Sequence, residues 1–234
     1  MVLYKHMEPQ AGTVNSVIDT LCHRILAMEF PPLLRIGING VDGSGKTMFT
    51  KRLVEELKKR TQRQIISTTI DAFHHPKERR YQKGRASVEG FYRDSFDFPA
   101  IVERLLRPLS PHGLRTYWTR IFDVRTDQAV EEGPYRAEED AILIMEGIFL
   151  FQKELWPYFD FKIYLDVPFG VTLERMLERD KQFYASEQEE RELFLTRYKP
   201  GQELYQAECA PKELADVIID NTDYEHPVIV KSVK

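Results

Sequence analysis

Residues 40–47 read Gly40-Val41-Asp42-Gly43-Ser44-Gly45-Lys46-Thr47, which satisfies the pattern G-x-x-x-x-G-K-[ST]. In such a loop the glycines let successive backbone N–H groups turn inward around phosphate oxygens. The lysine then reaches the outer phosphates, and the threonine hydroxyl is available to Mg²⁺. Gly40, Asp42, Gly43, Ser44, Gly45, Lys46 and Thr47 are therefore the candidate contacts of a nucleoside triphosphate, with Thr47 also a metal candidate. The flanks agree with this reading. Residues 33–39 form a short, mostly apolar run suited to a buried strand, and residues 48–60 place Phe49, Leu53 and Leu57 at helical spacing. A helix beginning at the loop adds the positive end of its dipole to the phosphate site.

Phosphoryl transfer asks a protein for positioning, for neutralisation of the moving phosphate, and for a group that orients the nucleophile. Two carboxylates are expected where neighbouring strands end. Asp71 follows the run Gln64–Ile70, and Glu146 follows Ala141–Met145. One of the pair can serve Mg²⁺ through water while the other accepts the proton of an attacking hydroxyl. Arg175 and Arg179, four residues apart, fall on one helix face. Two guanidinium groups there suit bidentate phosphate contacts and transition-state charge. Their alternative is a solvated face paired with Glu174, Glu178 and Asp180.

The elements that must position these groups follow from the apolar pattern. Thr13–Met28 has the spacing of a first helix, stopped by Pro31 and Pro32, and residues 1–11 read as a loose tail. Strands are expected at 64–70, 141–145, 161–167 and 215–219, and helices at 99–107, 169–181 and 187–198. A hairpin is expected at Leu114–Thr126. Residues 72–95 are polar, basic and interrupted by Pro76, Gly84 and Gly90, and a connection that long inside a compact domain usually has a function. Alternating strands and helices predict an α/β fold of the P-loop NTPase type. Its mostly parallel sheet would be covered on both faces, with ligands at the carboxyl ends of the strands. One domain over 1–234 accommodates everything, with an acceptor-binding insertion at 72–126 and a helical lid at 169–200.

Composition bounds the setting. The 234 residues are 42% hydrophobic and 30% charged, with a net charge of −4, so bulk electrostatics favour neither nucleic acid nor an anionic membrane. Two cysteines are too few for a disulfide framework and fit a reducing cytoplasm. No apolar run has membrane-spanning length, and no signal-peptide core is apparent. His75 and His112 lack partners at metal-ligand spacing. The aromatic cluster Phe149, Phe151, Trp156, Tyr158, Phe159 and Phe161 reads as core and interface.

Taken together these segments resemble the uridine kinase/phosphoribulokinase branch of the P-loop kinases. The resemblance runs over roughly residues 34–220. It rests on Ile36–Thr47, on Asp71-Ala72-Phe73-His74, on Met145-Glu146-Gly147-Ile148-Phe149, on Arg175–Asp180, and on Tyr198-Lys199-Pro200 through Ala215–Ile219. It implies ATP and Mg²⁺ as cofactors, Asp71 as the base, Glu146 at the metal, and Arg175 and Arg179 as lid arginines beside Lys46. It further implies a small-molecule alcohol as acceptor, most simply the 5′-hydroxyl of uridine or cytidine. Relatives often form homo-oligomers, a point that no residue here decides.

On the acceptor side the resemblance points to Phe96 and Asp97, to Phe122-Asp123, and to His74, which stands where uridine kinases carry Tyr. Where those enzymes place a base-contacting His, this chain continues Val124-Arg125-Thr126, making Arg125 the candidate there. The basic stretch 77–93, with six basic against two acidic residues, suits a phosphorylated or carboxylated acceptor or simply a solvated loop. Other acceptors (a pentose phosphate, pantothenate, nicotinamide riboside) stay open. So does a nucleotide-dependent switch, although no Asn-Lys-x-Asp motif is present and Asn221-Thr222-Asp223 lacks the lysine. An inactive scaffold is disfavoured by the intact Lys46, Thr47, Asp71 and Glu146.

Overall fold

The computed structural model describes residues 10–11, 13–28, 33–181 and 186–232. The strands in chain order are β1 Gln10–Ala11, β2 Leu34–Gly40, β3 Ile65–Thr69, β4 Thr116–Tyr117, β5 Arg120–Asp123 and β6 Gln128–Glu132. They continue as β7 Tyr135–Arg136, β8 Ile142–Gly147, β9 Phe161–Asp166, β10 Val217–Asp220 and β11 Val228–Ser232. The helices are α1 Val14–Leu26, α2 Lys46–Arg60, α3 Lys77–Arg80, α4 Val88–Asp94, α5 Phe98–Ile101, α6 Phe169–Asp180, α7 Glu187–Leu193, α8 Lys199–Cys209 and α9 Pro211–Leu214.

Seven strands form the main sheet, in the order β1-β11-β10-β9-β2-β8-β3. The five from β10 to β3 are parallel, whereas β11 runs antiparallel to β10 and β1 antiparallel to β11. β2 and β8 are buried along their whole length, which is why they read as continuous apolar runs without alternation. Their side chains still alternate between two cores. Ile142 and Ile144 pack with Leu21, Ile25, Leu53 and Leu57 under α1 and α2. Leu143 and Met145 pack on the opposite face with Tyr92, Phe149 and Tyr205. A third, smaller cluster joins α6 to the segment after α7 through Leu173, Met176, Leu177 and Phe194.

Several boundaries differ from the expected ones. The hairpin is not 114–126. It runs from β4 to β7, with its inner strands β5 and β6 joined by a turn at 124–127 in which Asp127 adopts φ 56°. Arg120, Asp123, Gln128 and Glu132 leave little apolar signal in those strands. The end of the expected tail, residues 10–11, pairs with β11, a strand the sequence pattern did not suggest. Residues 1–9, like Pro31 and Pro32, lie outside the described residues. The carboxyl end of β3 comes at Thr69, so Asp71 sits one turn beyond it, in the 3₁₀ turn Ile70–Phe73. No helix among the described residues is long and apolar enough to cross a membrane.

The amino end of the central strand β2, opposite the phosphate loop, is fixed by a buried ion pair. The Arg35 guanidinium donates to both Asp160 carboxylate oxygens, through Nε at 3.0 Å and Nη2 at 2.8 Å, while the Arg35 backbone N–H donates to the same group at 2.9 Å. A further donation to Ser110 Oγ at 2.8 Å ties in the segment after α5. Truncation would leave the guanidinium buried without a counter-charge. Asp160→Ala is therefore expected to lose about 3–5 kcal/mol of stability, read as a lowered urea midpoint with an unchanged slope.

Candidate active site

The carboxyl ends of β2, β3 and β8 open onto one cavity of about 800 Å³, within the size range of small-ligand sites. Its floor is the loop 40–47. Gly43 and Gly45 adopt φ of 73° and 88°, which L side chains rarely do. A Cβ at Gly43 would lie 2.7 Å from the Thr172 carbonyl oxygen, and one at Gly45 2.8 Å from Asn221 Nδ2. The loop thus needs glycine for both conformation and space. α2 begins at Lys46, directing its free N–H groups into the cavity.

Polar contacts hold this loop from three sides. Asn221 donates to the Ser44 carbonyl at 2.8 Å, and the Asp42 N–H donates to Gln202 Oε1 at 2.5 Å. Underneath, Asn39 and the Phe151 N–H both donate to the hydroxyl of buried Tyr205, the latter at 2.9 Å. Asn39, Gln202, Tyr205 and Asn221 form a support that sequence reasoning missed. Only Asn221 had been singled out, as a fragment of a guanine-reading motif. The Ser44 hydroxyl is buried with no partner among the described residues, as expected of a group awaiting a phosphate oxygen.

Lys46, Thr47, Asp71 and Glu146 meet on the loop's open side. The buried Lys46 ammonium donates to the Val41 carbonyl at 2.8 Å. Burial lowers its pKa, opposed by the charges of Glu146, Asp42 and Asp71. Thr47 Oγ1 donates to Glu146 Oε1 at 3.1 Å, placing a hydroxyl beside a carboxylate. Burial raises the pKa of Glu146, and Lys46 counteracts it. Asp71 is pushed up to about 6 by the surrounding protein, with the charge of Asp42 adding and Lys46 opposing. Its side chain is nevertheless 62% exposed. Both hold because the carboxylate projects into a cavity walled by protein, and water in that cavity moderates the shift.

The donor set also answers whether a divalent ion fits. Among the described residues no three His, Cys, Asp or Glu side chains converge to hold one. A hydroxyl and a carboxylate at hydrogen-bond distance, beside a loop open to phosphates, suit Mg²⁺, which keeps several waters and shares its shell with substrate phosphates.

Arg175 and Arg179 both line the cavity, but their donors face the protein. Arg175 donates to the carbonyls of Gly43 at 3.3 Å, Asn221 at 3.0 Å and Thr222 at 2.8 Å. Arg179 reaches Asp42 at 3.3 Å and Asp180 at 2.6 Å, and Asp180 keeps its charge firmly in place. Arg175 clamps the loop to the end of β10, while Arg179 lies across the loop's Asp42.

On the acceptor side, the chain after β3 pairs locally with the chain after α4. His74 bridges Phe96, the His75 N–H donates to the Ser95 carbonyl at 2.9 Å, and the Asp97 N–H donates to the Phe73 carbonyl at 2.8 Å. Extended backbone alternates its side chains. His74 and Phe96 therefore face the cavity together, rings 4.4 Å apart. Asp97 turns away, accepting from the Ala100 N–H at 3.0 Å and lying 3.8 Å from His75. Arg125 is exposed at the hairpin tip and is absent from the cavity wall. The expectation that His74, Phe96, Asp97 and Arg125 line one pocket is corrected: the first two do and the last two do not. The wall is completed by Arg80, Tyr81, Phe91, Arg197 and Tyr198. In the sequence Arg80 reads only as one charge among six, and Tyr198 only as the start of a segment that carries the resemblance.

A glycine cradle at the start of a helix, backed by a parallel sheet and fronted by lysine, threonine and two carboxylates, defines a P-loop nucleoside-triphosphate site. The family model "Phosphoribulokinase / Uridine kinase family" matches residues 35–222, and the chain belongs to that family. It is thereby a phosphotransferase with an alcohol group as acceptor. A uridine kinase of Lactobacillus johnsonii is 27% identical over 148 residues, 63% of this chain and 67% of that protein. Uridine-cytidine kinase 2-B of Danio rerio is 28% identical over 195 residues, 79% and 71% of the two chains. The solved structure of a possible uridine kinase from Bacillus stearothermophilus superposes with a TM-score of 0.70 at 25% identity, covering 88% of this chain and 98% of that one.

Two titrations in the site oppose each other. Burial pulls His74 down to about 4 from 6.5, so between those values the unfolded chain binds a proton that the folded one refuses. Stability is then lost as pH falls through that window. Asp71, raised from 3.8 to about 6, acts in the reverse sense. Replacing His74 by Asn leaves only the second effect. Between pH 7 and pH 5 the wild-type protein is expected to lose more unfolding free energy than His74→Asn, measured by urea titration at both pH values. Equal losses would refute the assignment of a buried neutral imidazole.

Proposed function

We propose that the protein transfers the γ-phosphate of ATP, bound with Mg²⁺ on residues 40–47, to the hydroxyl of a small acceptor seated against His74 and Phe96. The observation that carries this reading is Asp71, a carboxylate of raised pKa projecting into the cavity beside Lys46 and Glu146. Near neutral pH such a group is ionised, yet basic enough to take a proton. In the step proposed, Asp71 accepts the proton as the acceptor oxygen bonds to the γ-phosphorus, and the bond from that phosphorus to the β–γ bridging oxygen breaks to release ADP. Bound Mg²⁺ neutralises phosphate charge, with Thr47 and Glu146 as the side chains to hold it. Lys46 offsets charge on the transferring group. Arg175 keeps the loop's Gly43 carbonyl turned outward from the phosphates, and Arg179, the more exposed of the two, exchanges Asp42 for phosphate when nucleotide arrives.

For the acceptor, the names of the relatives support a pyrimidine ribonucleoside, uridine or cytidine. A second reading, an alcohol that already carries an anionic group, is favoured by Arg80 and Arg197 and is argued below. A switch that binds or hydrolyses nucleotide without an acceptor is set aside by one measurement, since a kinase releases ADP in response to acceptor. Asp71→Asn is expected to lower kcat by roughly 10²–10⁴-fold while Mg²⁺–ATP affinity changes less than about threefold. Turnover retained in that variant would remove Asp71 from the base role.

A further inference from the structure

The acceptor half of the cavity contains a charge that the protein does not balance. Arg197 sits in the wide helical turn Phe194–Tyr198 that joins α7 to α8, and only 3% of its surface is exposed. Its guanidinium lies over the rings of Tyr81 at 4.8 Å, Phe91 at 5.5 Å and Tyr198 at 6.0 Å. Among the described residues it makes one hydrogen bond, to the Arg85 carbonyl, and its buried Nε has no partner. No carboxylate among the described residues lies within ion-pair distance of it, and the charged neighbours acting on it are Arg80 and Arg85, of its own sign. Arg80 is 7% exposed and lines the same wall. It spends one donor on Asp127 at 3.0 Å, and its Nε is likewise buried without a partner.

A guanidinium offers five N–H donors and cannot shed its proton. Burying one without a counter-charge is among the more expensive arrangements available to a protein. Ring stacking recovers part of that cost, but it leaves the donors unused. The Asp127 contact fixes Arg80 from the hairpin tip without neutralising Arg197. This second cationic centre is also separate from the phosphate loop. Its neighbours come from α3, α4 and the turn before α8, whereas Arg175 and Arg179 bond to the loop itself.

We infer that Arg197 and Arg80 form a subsite for an anionic group, a phosphate or a carboxylate, carried by the acceptor alcohol. The inference rests on the phosphotransferase reading of the cavity and names the class of acceptor. Planar guanidinium forks match both anions bidentately, and the aromatic rings around Arg197 keep water from competing. A neutral nucleoside would leave the pair uncompensated.

Two measurements on the full chain test this. In the first, ADP release with Mg²⁺–ATP is followed over uridine, cytidine and ribose against pentose phosphates and hydroxycarboxylates. Anion-bearing acceptors are expected to be turned over in preference, and Arg197→Gln to raise their KM about tenfold or more while KM for ATP stays within about twofold. Arg197→Lys, which keeps the charge and loses the fork, is expected to fall between. Efficient turnover of a neutral nucleoside with the same KM in Arg197→Gln overturns the inference and leaves the kinase reading intact.

In the second, inorganic phosphate and acetate are titrated by calorimetry into the protein saturated with ADP and Mg²⁺, and the stronger binder identifies the group. Affinity that drops about tenfold in Arg197→Gln supports the subsite even if no acceptor in the panel is turned over, in which case the kinase reading is what fails. Binding unchanged in Arg197→Gln and in Arg80→Gln overturns the subsite. Arg80→Gln carries both measurements if Arg197→Gln does not fold. A purely structural Arg197 would lower the urea midpoint and leave acceptor KM and anion affinity unmoved.

Discussion

The ammonium of Lys46 is the constraint around which the site is built. It is buried beside the free N–H groups that open α2, so positive potential accumulates there. Three carboxylates are drawn into balance with it: Asp42 from the loop, Glu146 from the end of β8 and Asp71 from the turn after β3. That balance requires the ends of neighbouring parallel strands to lie side by side. It also requires a loop with φ values that only glycine adopts readily, and a rigid support beneath. The parallel sheet, the two glycines and the Asn39–Tyr205–Phe151 contacts follow from keeping one cation in place.

Around this centre the arginines divide into two kinds. Arg35, Arg175 and Arg179 are engaged by carboxylates or backbone carbonyls, and each fixes one segment to another. Arg80, held by Asp127, and Arg197, bonded to the Arg85 carbonyl, also line the cavity, and each keeps a buried Nε with no partner among the described residues. Arg175 and Arg179 brace the phosphate loop, whereas Arg80 and Arg197 carry the proposed anion subsite. Family membership covers the donor half well, because every member must grip the same triphosphate. It says less about the other half, where members differ in what they phosphorylate.

The same division explains what was legible in the sequence. That Lys46, Thr47, Asp71 and Glu146 come together is legible because their placement depends on local spacing and on long apolar strands that announce themselves. Ile142–Met145 is an example: a strand buried on both faces leaves no polar residue to blur it. The hairpin was placed too early because Arg120–Asp123 and Gln128–Glu132 are short and mostly polar, so its bounds are set by pairing and by the turn at Asp127. Asp97 was assigned with its neighbour Phe96, although adjacent residues in extended backbone face opposite ways. Arg197 could not be found at all by spacing. What distinguishes it is that no carboxylate among the described residues lies within ion-pair distance, a property of the folded chain and not of its neighbours in sequence.

The pairing of residues 73–75 with 95–97 has a wider implication. Two short stretches, each offering an aromatic-type ring and a different polar group on alternate faces, share one backbone register. Advancing the first by a single residue would bring His75 to the place of His74, and advancing the second would bring Asp97 to the place of Phe96, replacing a ring of the stacking wall without any substitution. Under the proposed function, the wall an acceptor meets depends in part on the length of the chain between β3 and α5. A one-residue insertion or deletion there would alter that wall as directly as changing a side chain.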